Sequence, residues 1–427
     1  MKIVFISPKF KNLWENLGLG YISSYCRWNH PNVDIEFYDA NFDDLNKIVL
    51  AGANADYVGI SATTPTYKYA LETIKQIKQL NNGVRVILGG WHATTSPRTI
   101  LNSDVTFKNS KNLLIDYVVV GEGEKAFVDI INGMHKPGMV LGTKLEFNKL
   151  LWPDRTLIRQ DRLFDYCDKM WGIRYASFQS RRGCPMRCKF CGEHCMTGST
   201  NTLEAAVRVR NANDVLDEME YVNEKYRIDR AKFVDPTWSA PNTAAIEFCE
   251  EKIRRKNKIE WSGMVHASFI NKSLMELMKE SGCIQIDIGV ESGSQSILNK
   301  VGKGTTIDRI KNVFRWGKEV GLKRRAFTMI GNPDETYEDI ELTKQLIREI
   351  KPDVLGTTIL TPYPGSHYYD HQTMKDIDFS ECDEYSCHFW STKNFSNADL
   401  VKIQKEIYEE FKDITVENFE KAVNRSN

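Results

Sequence analysis

Three cysteines, Cys184, Cys188 and Cys191, stand in the spacing Cys-x3-Cys-x2-Cys, and Cys195 follows within the same twelve residues. Cysteine thiolates bind soft metals, and iron–sulfur cubanes normally take four of them. Three thiolates leave one iron without a protein ligand and open to a small molecule. A structural zinc site using Cys184, Cys188, Cys191 and Cys195 is the plain alternative, but zinc prefers close cysteine pairs separated by a longer loop. Cys195 has three readings: an extra ligand, a redox thiol, or a loop cysteine packed beside the others. The six remaining cysteines, Cys26, Cys167, Cys249, Cys283, Cys382 and Cys387, are scattered and read as small buried hydrophobes.

The thiol loop leaves a strand, Tyr175–Gln179, and further strands alternate with helices after it. The strands fall at Ala231–Asp235, Ile259–Val265, Gln285–Val290, Arg324–Ile330 and Val354–Leu360. Helices are expected at Asp214–Tyr226, Thr243–Lys256, Lys272–Ser281, Ile307–Val320 and Thr336–Ile350. Six strands in this rhythm suit a partial (β/α)6 barrel, whose chemistry would sit at the carboxyl ends of its strands. Unusual residues collect there: Asp235-Pro236-Thr237, Gly289-Val290-Glu291-Ser292-Gly293, Ile330-Gly331-Asn332-Pro333-Asp334-Glu335-Thr336 and Thr361-Pro362-Tyr363-Pro364-Gly365-Ser366.

With the thiol loop, these segments resemble the radical S-adenosylmethionine (SAM) family over about residues 175–370. Phe190, just before the third cysteine, matches the aromatic usual there. Two positions depart from the family pattern, Pro236 and Asp334. The resemblance implies a [4Fe–4S] cluster on Cys184, Cys188 and Cys191, with SAM on the open iron. It places Phe190, Glu291, Ser292, Gly293, Asp235 and Gly331 against SAM. It also implies a flavodoxin- or ferredoxin-type electron donor. From the residues alone, the plain alternative for Glu291 is a helix cap, Arg324 and Arg325 read as surface charges or carboxylate ligands, and His266 as a pocket residue.

The first 135 residues alternate in the same way, with strands at Lys2–Ile6, Val33–Tyr38, Tyr57–Ile60, Val84–Leu88 and Tyr117–Val120. Helical segments are Leu17–Trp28, Tyr67–Leu80 and one starting at Lys125. This pattern predicts a doubly wound, Rossmann-like parallel sheet, which binds ligands at the carboxyl ends of its strands. Small and polar residues gather at those ends: Ser61, Thr63, Thr64, Gly89, Gly90, His92, Gly121 and Glu122. No GxGxxG follows the first strand, which disfavours a dinucleotide. The order of Leu17-Gly18-Leu19-Gly20-Tyr21, Gly89-Gly90-Trp91-His92 and Gly121-Glu122-Gly123-Glu124 resembles the cobalamin-binding domain that precedes many radical SAM domains. It implies cobalamin on the eight residues named. The mutase-type Asp-x-His-x-x-Gly is replaced by Ser7-Pro8-Lys9-Phe10-Lys11-Asn12, so cobalt is expected to lack that histidine ligand. A flavodoxin-like fold without cofactor would show the same pattern of elements.

The fold class is therefore α/β, in four parts: a cobalamin-binding domain at 1–135, a linker at 136–174, a radical SAM barrel at 175–370 and a helical tail at 371–427, its helix spanning Asn397–Val423. Lysine plus arginine equals aspartate plus glutamate, 57 each, which argues against a dedicated nucleic-acid binder. No apolar run reaches the ~18–20 residues of a membrane span, and ten cysteines suit the reducing cytoplasm. The expected activity is reductive cleavage of SAM, with cobalamin carrying a methyl group to an unactivated centre of a small-molecule, lipid or peptide substrate. The alternatives are a non-methylating cyclisation, rearrangement or redox reaction with the same cofactors, and an iron–sulfur sensing protein without turnover.

Overall fold

The computed structural model describes residues 1–103, 113–197 and 206–415. The chain forms two compact units. The first comprises Met1–Leu163 with Tyr363–Asp383, the second Phe164–Pro362 with Glu384–Asn427.

In the first unit, six parallel strands form one sheet in the order β2-β1-β3-β4-β5-β6. They are β1 (Lys2–Ser7), β2 (Asp34–Asp39), β3 (Tyr57–Ser61), β4 (Arg85–Gly89), β5 (Tyr117–Val120) and β6 (Gly138–Leu141). Strands in such a sheet are buried on both faces, which explains their unbroken apolar runs. Val4, Ile6, Val58, Ile60, Val86 and Leu88 pack on one side with Ile48, Ile74 and Ile77 of two helices. Ile3, Phe5, Ile35, Phe37, Tyr117 and Val119 pack on the other with Leu19, Tyr21, Phe127 and Ile130. The expected doubly wound sheet is present, with β6 added from residues assigned to a linker. Tyr363–Asp383 also belongs here: Lys68 Nζ meets Asp378 Oδ2 at 2.7 Å, and Lys11 Nζ donates to Glu381 O at 2.9 Å.

In the second unit, six parallel strands run in the order β14-β13-β12-β11-β10-β7. They are β7 (Tyr175–Phe178), β10 (Arg230–Phe233), β11 (Glu260–Val265), β12 (Cys283–Glu291), β13 (Lys323–Ile330) and β14 (Val354–Ile359). A small antiparallel pair, β8 (Arg181–Arg182) with β9 (Arg208–Val209), flanks the thiol loop. β7 and β14 are the two ends of the sheet, so the barrel is partial. One face is packed by helices, and Phe233, Trp238, Phe248 and Trp261 cluster there, the two indoles 4.4 Å apart. The crossovers are well-capped helices. Thr336 and Asp339 make a capping box at Tyr337–Ile350, as Ser396 and Asp399 do at Asn397–Glu410. The expected tail helix thus ends near residue 410, and positions 416–423 of that expectation lie outside the described residues.

The crossings between units fall at 163/164, 362/363 and 383/384, not at 135, 174 and 370. The first lies inside the Gln160–Trp171 helix, which falls in the stretch expected to be a linker.

Candidate functional site

The thiol loop begins where β7 ends and is anchored by a carboxylate on the next strand's exit. Asp235 is fully buried, and it accepts hydrogen bonds from Ser180 N (2.8 Å), Ser180 Oγ (2.5 Å) and Arg181 N (2.9 Å). The Arg181 guanidinium lies 3.9 Å from Asp235 Oδ2 and 4.8 Å from the Trp238 ring. Gly183, at φ +101°, turns the chain into the cysteine segment, a conformation glycine adopts freely. Cys191 N then bonds Cys188 O (3.0 Å), Lys189 N bonds Val301 O (2.9 Å), and Glu193 N points at Cys191 Sγ (3.4 Å).

The three thiols sense one another electrostatically, so the loop gathers them. Burial pushes Cys188 up to about 12 and Cys191 up to about 11, and it also raises Cys184. Each is drawn back toward the thiolate by Lys303. Without metal they are thiols, and metal binding must displace their protons. Among the described residues, no three His, Cys, Asp or Glu side chains converge as a single ion requires. A cubane instead takes its thiolates at separate corners. Three cysteines on one loop are the donor set of a cluster with an open iron, and they fit it. Phe190 is half-buried beside them.

Glu291 ends β12 in a conformation unusual for a side chain with a Cβ, φ +61°, where the pairing with β13 also shifts register. Strained backbone of this kind concentrates at functional sites. Its carboxylate meets Lys303 Nζ at 2.7 Å in a mostly buried ion pair. A Cβ on Gly289 would lie 2.5 Å from both Glu291 Oε1 and Lys303 Nζ, so the missing side chain makes room for the pair. His266 Nε2 sits 2.9 Å from Lys303 O and steadies that loop. Lys303 went unnoticed in the sequence as one of 57 basic residues. Its signal was the Gly302-Lys303-Gly304 triplet, whose glycines take φ +70° and +66°.

The other residues expected against SAM do structural work. Asp235 gives its oxygens to the loop start, as described. Ser292 is fully buried and receives Ser294 N at 3.1 Å. Gly293 N donates to Thr343 Oγ1 (2.9 Å), and a Cβ there would collide with Leu342 O, so this glycine lets the Tyr337–Ile350 helix close on the sheet. Gly331 has both backbone groups engaged, its N–H by Glu335 Oε2 (2.6 Å) and its carbonyl by Trp390 Nε1 (2.7 Å). Arg324 is neither a surface charge nor a ligand: it pairs with Asp353 at 2.8 Å.

In the first unit the predicted cradle lies at the carboxyl ends of β3, β4 and β5. Gly90, at φ +91°, has no room for a Cβ: one would sit 2.7 Å from Ala62 O and 2.9 Å from Ser61 Oγ. The β4 exit is thereby pressed against the β3 exit. A Cβ on Gly121, at φ +89°, would meet nothing within 4 Å, so that exit faces open space. Thr63 N bonds Thr66 Oγ1 (2.9 Å), and Gly121 N bonds Thr94 Oγ1 (3.0 Å). His92 stacks on Tyr67 with centroids 4.0 Å apart, and its Nδ1 lies 3.2 Å from Thr64 Oγ1. Burial lowers its pKa to about 4, so the ring is neutral. Glu122 precedes the Gly123–Ile131 helix. Tight, glycine-edged exits with an open end fit a large planar ligand.

Comparison with known proteins places these two units. The profile described as Radical SAM superfamily matches residues 179–347, and that of a B12 binding domain matches residues 3–131. The chain thus carries a radical SAM domain, and it is an enzyme. It also carries an N-terminal B12-binding domain, and the cofactors of the two domains are a [4Fe–4S] cluster, SAM and cobalamin. A protein of Pyrococcus horikoshii named uncharacterized methyltransferase is 28% identical over 88% of this chain and 84% of its own. The anaerobic magnesium-protoporphyrin IX monomethyl ester cyclase of Rubrivivax gelatinosus is 25% identical over 86% and 69%. Among solved structures, the radical SAM methyltransferase TsrM from Kitasatospora setae, with cobalamin and a [4Fe–4S] cluster bound, superposes with a TM-score of 0.68 at 18% identity, covering 86% of this chain and 73% of that one. It shares the fold.

Proposed function

We propose that this enzyme methylates an unactivated carbon of a small-molecule, lipid or peptide substrate. The observation that carries this reading is the presence, in one chain, of a three-thiol loop and a glycine-edged B12-type cradle. When bound, the cluster and SAM supply a 5′-deoxyadenosyl radical, and cobalamin supplies a transferable methyl group. The chain's residues hold and orient these groups. Cys184, Cys188 and Cys191 ligate three irons. Glu291 and Lys303 offer one negative and one positive group to the amino, ribose and carboxylate functions of SAM. Gly121 leaves its strand exit open to the corrin, Gly90 holds the β4 exit tight against the β3 exit, and His92, neutral and stacked on Tyr67, forms part of the wall. The relatives named methyltransferases support this reading. No helix among the described residues is long and apolar enough to cross a membrane. We place the enzyme in the reducing cytoplasm, served by a flavodoxin- or ferredoxin-type donor.

A second reading, cyclisation without methyl transfer, is favoured by the similarity to the monomethyl ester cyclase along most of the chain. One anaerobic experiment separates the two. The protein is reconstituted with iron, sulfide and hydroxocobalamin and reduced with SAM. Methylation yields 5′-deoxyadenosine together with S-adenosylhomocysteine, and Cys188→Ala abolishes the deoxyadenosine. Deoxyadenosine without S-adenosylhomocysteine in the presence of a turned-over substrate points to the cyclase-like reaction.

A further inference from the structure

Side chains alternate between the two faces of a strand. On β13, Arg324 turns to the helix-packed face, where its guanidinium reaches Phe314 O (3.2 Å) and Asp353. Arg325 therefore projects from the other, inner face of the partial barrel. Phe327 lies two residues on, its ring centroid 4.5 Å from the Arg325 guanidinium carbon. Tyr385 comes from the segment after the barrel and receives a hydrogen bond from Arg325 Nη2 at 2.6 Å. A Cβ on Gly356 would meet the Tyr385 ring at 3.1 Å and Phe327 at 3.4 Å, so the tyrosine rests against that inner face.

The guanidinium is under-satisfied. Its Nε is buried with no hydrogen-bond partner, and among the described residues no carboxylate forms an ion pair with it. Asp287, its register partner on β12, uses Oδ1 to accept from Gln285 Nε2 at 2.7 Å. A buried charged donor without an acceptor is costly to the fold, and such features persist where a ligand supplies the missing partner. A planar fork with an unused Nε–H matches a carboxylate. The level is also right for the proposed chemistry. Gly289, which lies beneath the Glu291–Lys303 pair, is two residues beyond Asp287 on β12, about 7 Å at ~3.3 Å per residue.

We propose that Arg325, oriented by Tyr385, binds a carboxylate of the substrate and so sets its reacting carbon a few bonds away, below the Glu291–Lys303 pair. The substrate class is then a small carboxylic acid. This rests on the proposed radical chemistry for its meaning, but its test does not use that chemistry. Thermal unfolding of the full-length protein is followed with 3-phenylpropanoate and with the isosteric 3-phenylpropanamide. The acid is expected to raise the midpoint and the amide to leave it unchanged. Arg325→Met is expected to be at least as stable as wild type without probe, and blind to the acid. Arg325→Lys keeps the charge but loses the fork, and is expected to weaken the acid's dissociation constant about tenfold or more. No effect of the acid, an equal effect of the amide, unchanged affinity in Arg325→Lys, or a marked loss of stability in Arg325→Met overturns the proposal, the last by making Arg325 a structural plug. Deoxyadenosine formation stands or falls separately.

Discussion

Lys303 is the residue whose change is most informative beside the thiol loop. Lys303→Gln keeps a hydrogen-bond donor for Glu291 but removes the charge. SAM affinity, measured by calorimetry on the cluster-loaded protein and normalised to iron content, is expected to fall about tenfold or more, since hydrogen bonds to charged groups contribute roughly 1.5–3 kcal/mol. His92 gives a pH signature. Its folded pKa, about 4, lies below the ordinary value of 6.5, so the unfolded chain takes up a proton that the folded one refuses. Stability is therefore lost as pH falls from about 6.5 toward 4. His92→Asn is expected to remove part of that loss, on the order of 1–3 kcal/mol, in urea titrations at pH 7 and pH 5. The thiol spacing and Glu291 were legible in the sequence because spacing and motif order carry them. Lys303, Arg325 and Tyr385 were not, because their meaning depends on partners 12 and 60 residues away that only the fold brings near.

Elements were legible where burial imposed a period. Each of the six strands of the second sheet begins and ends within two residues of its expected place. The helices Tyr67–Leu80 and Ile307–Val320 match at both ends. β6 was missed because it buries only Val140 fully and leaves Met139 and Leu141 exposed, too little for a pattern. The Gln160–Trp171 helix was missed although Leu163, Phe164, Cys167, Met170 and Trp171 make one helical stripe, because the surrounding charged and aromatic residues obscured it. At this scale the glycines make the sharpest prediction. Gly293→Ala drives a methyl into the Leu342 carbonyl and is expected to cost several kcal/mol, on the order of an overpacked core or more. Gly18→Ala, in a helix with nothing within 4 Å of the new atom, is expected to be neutral or stabilising by up to ~1 kcal/mol. Thermal unfolding of the pair checks both.

For the whole molecule, two compact units with separate cofactors predict separate responses to ligand. Calorimetry of the cofactor-free protein is expected to resolve two transitions. Hydroxocobalamin at roughly 100 times its dissociation constant raises the stability of the unit that binds it by about 2.7 kcal/mol, and the other transition stays put. A single transition that moves as one would sink this division. The units are not consecutive along the chain, however. The first is completed only by Tyr363–Asp383, which ties back through Asp378 to Lys68, 310 residues earlier. On the ribosome, at ~5–20 residues per second, roughly 10–45 s pass between the emergence of Leu163 and that of Asp383. For that interval the B12-type sheet stands without its last segment while the barrel strands are made, so the unit that is begun first waits for the whole second sheet to emerge before it is finished.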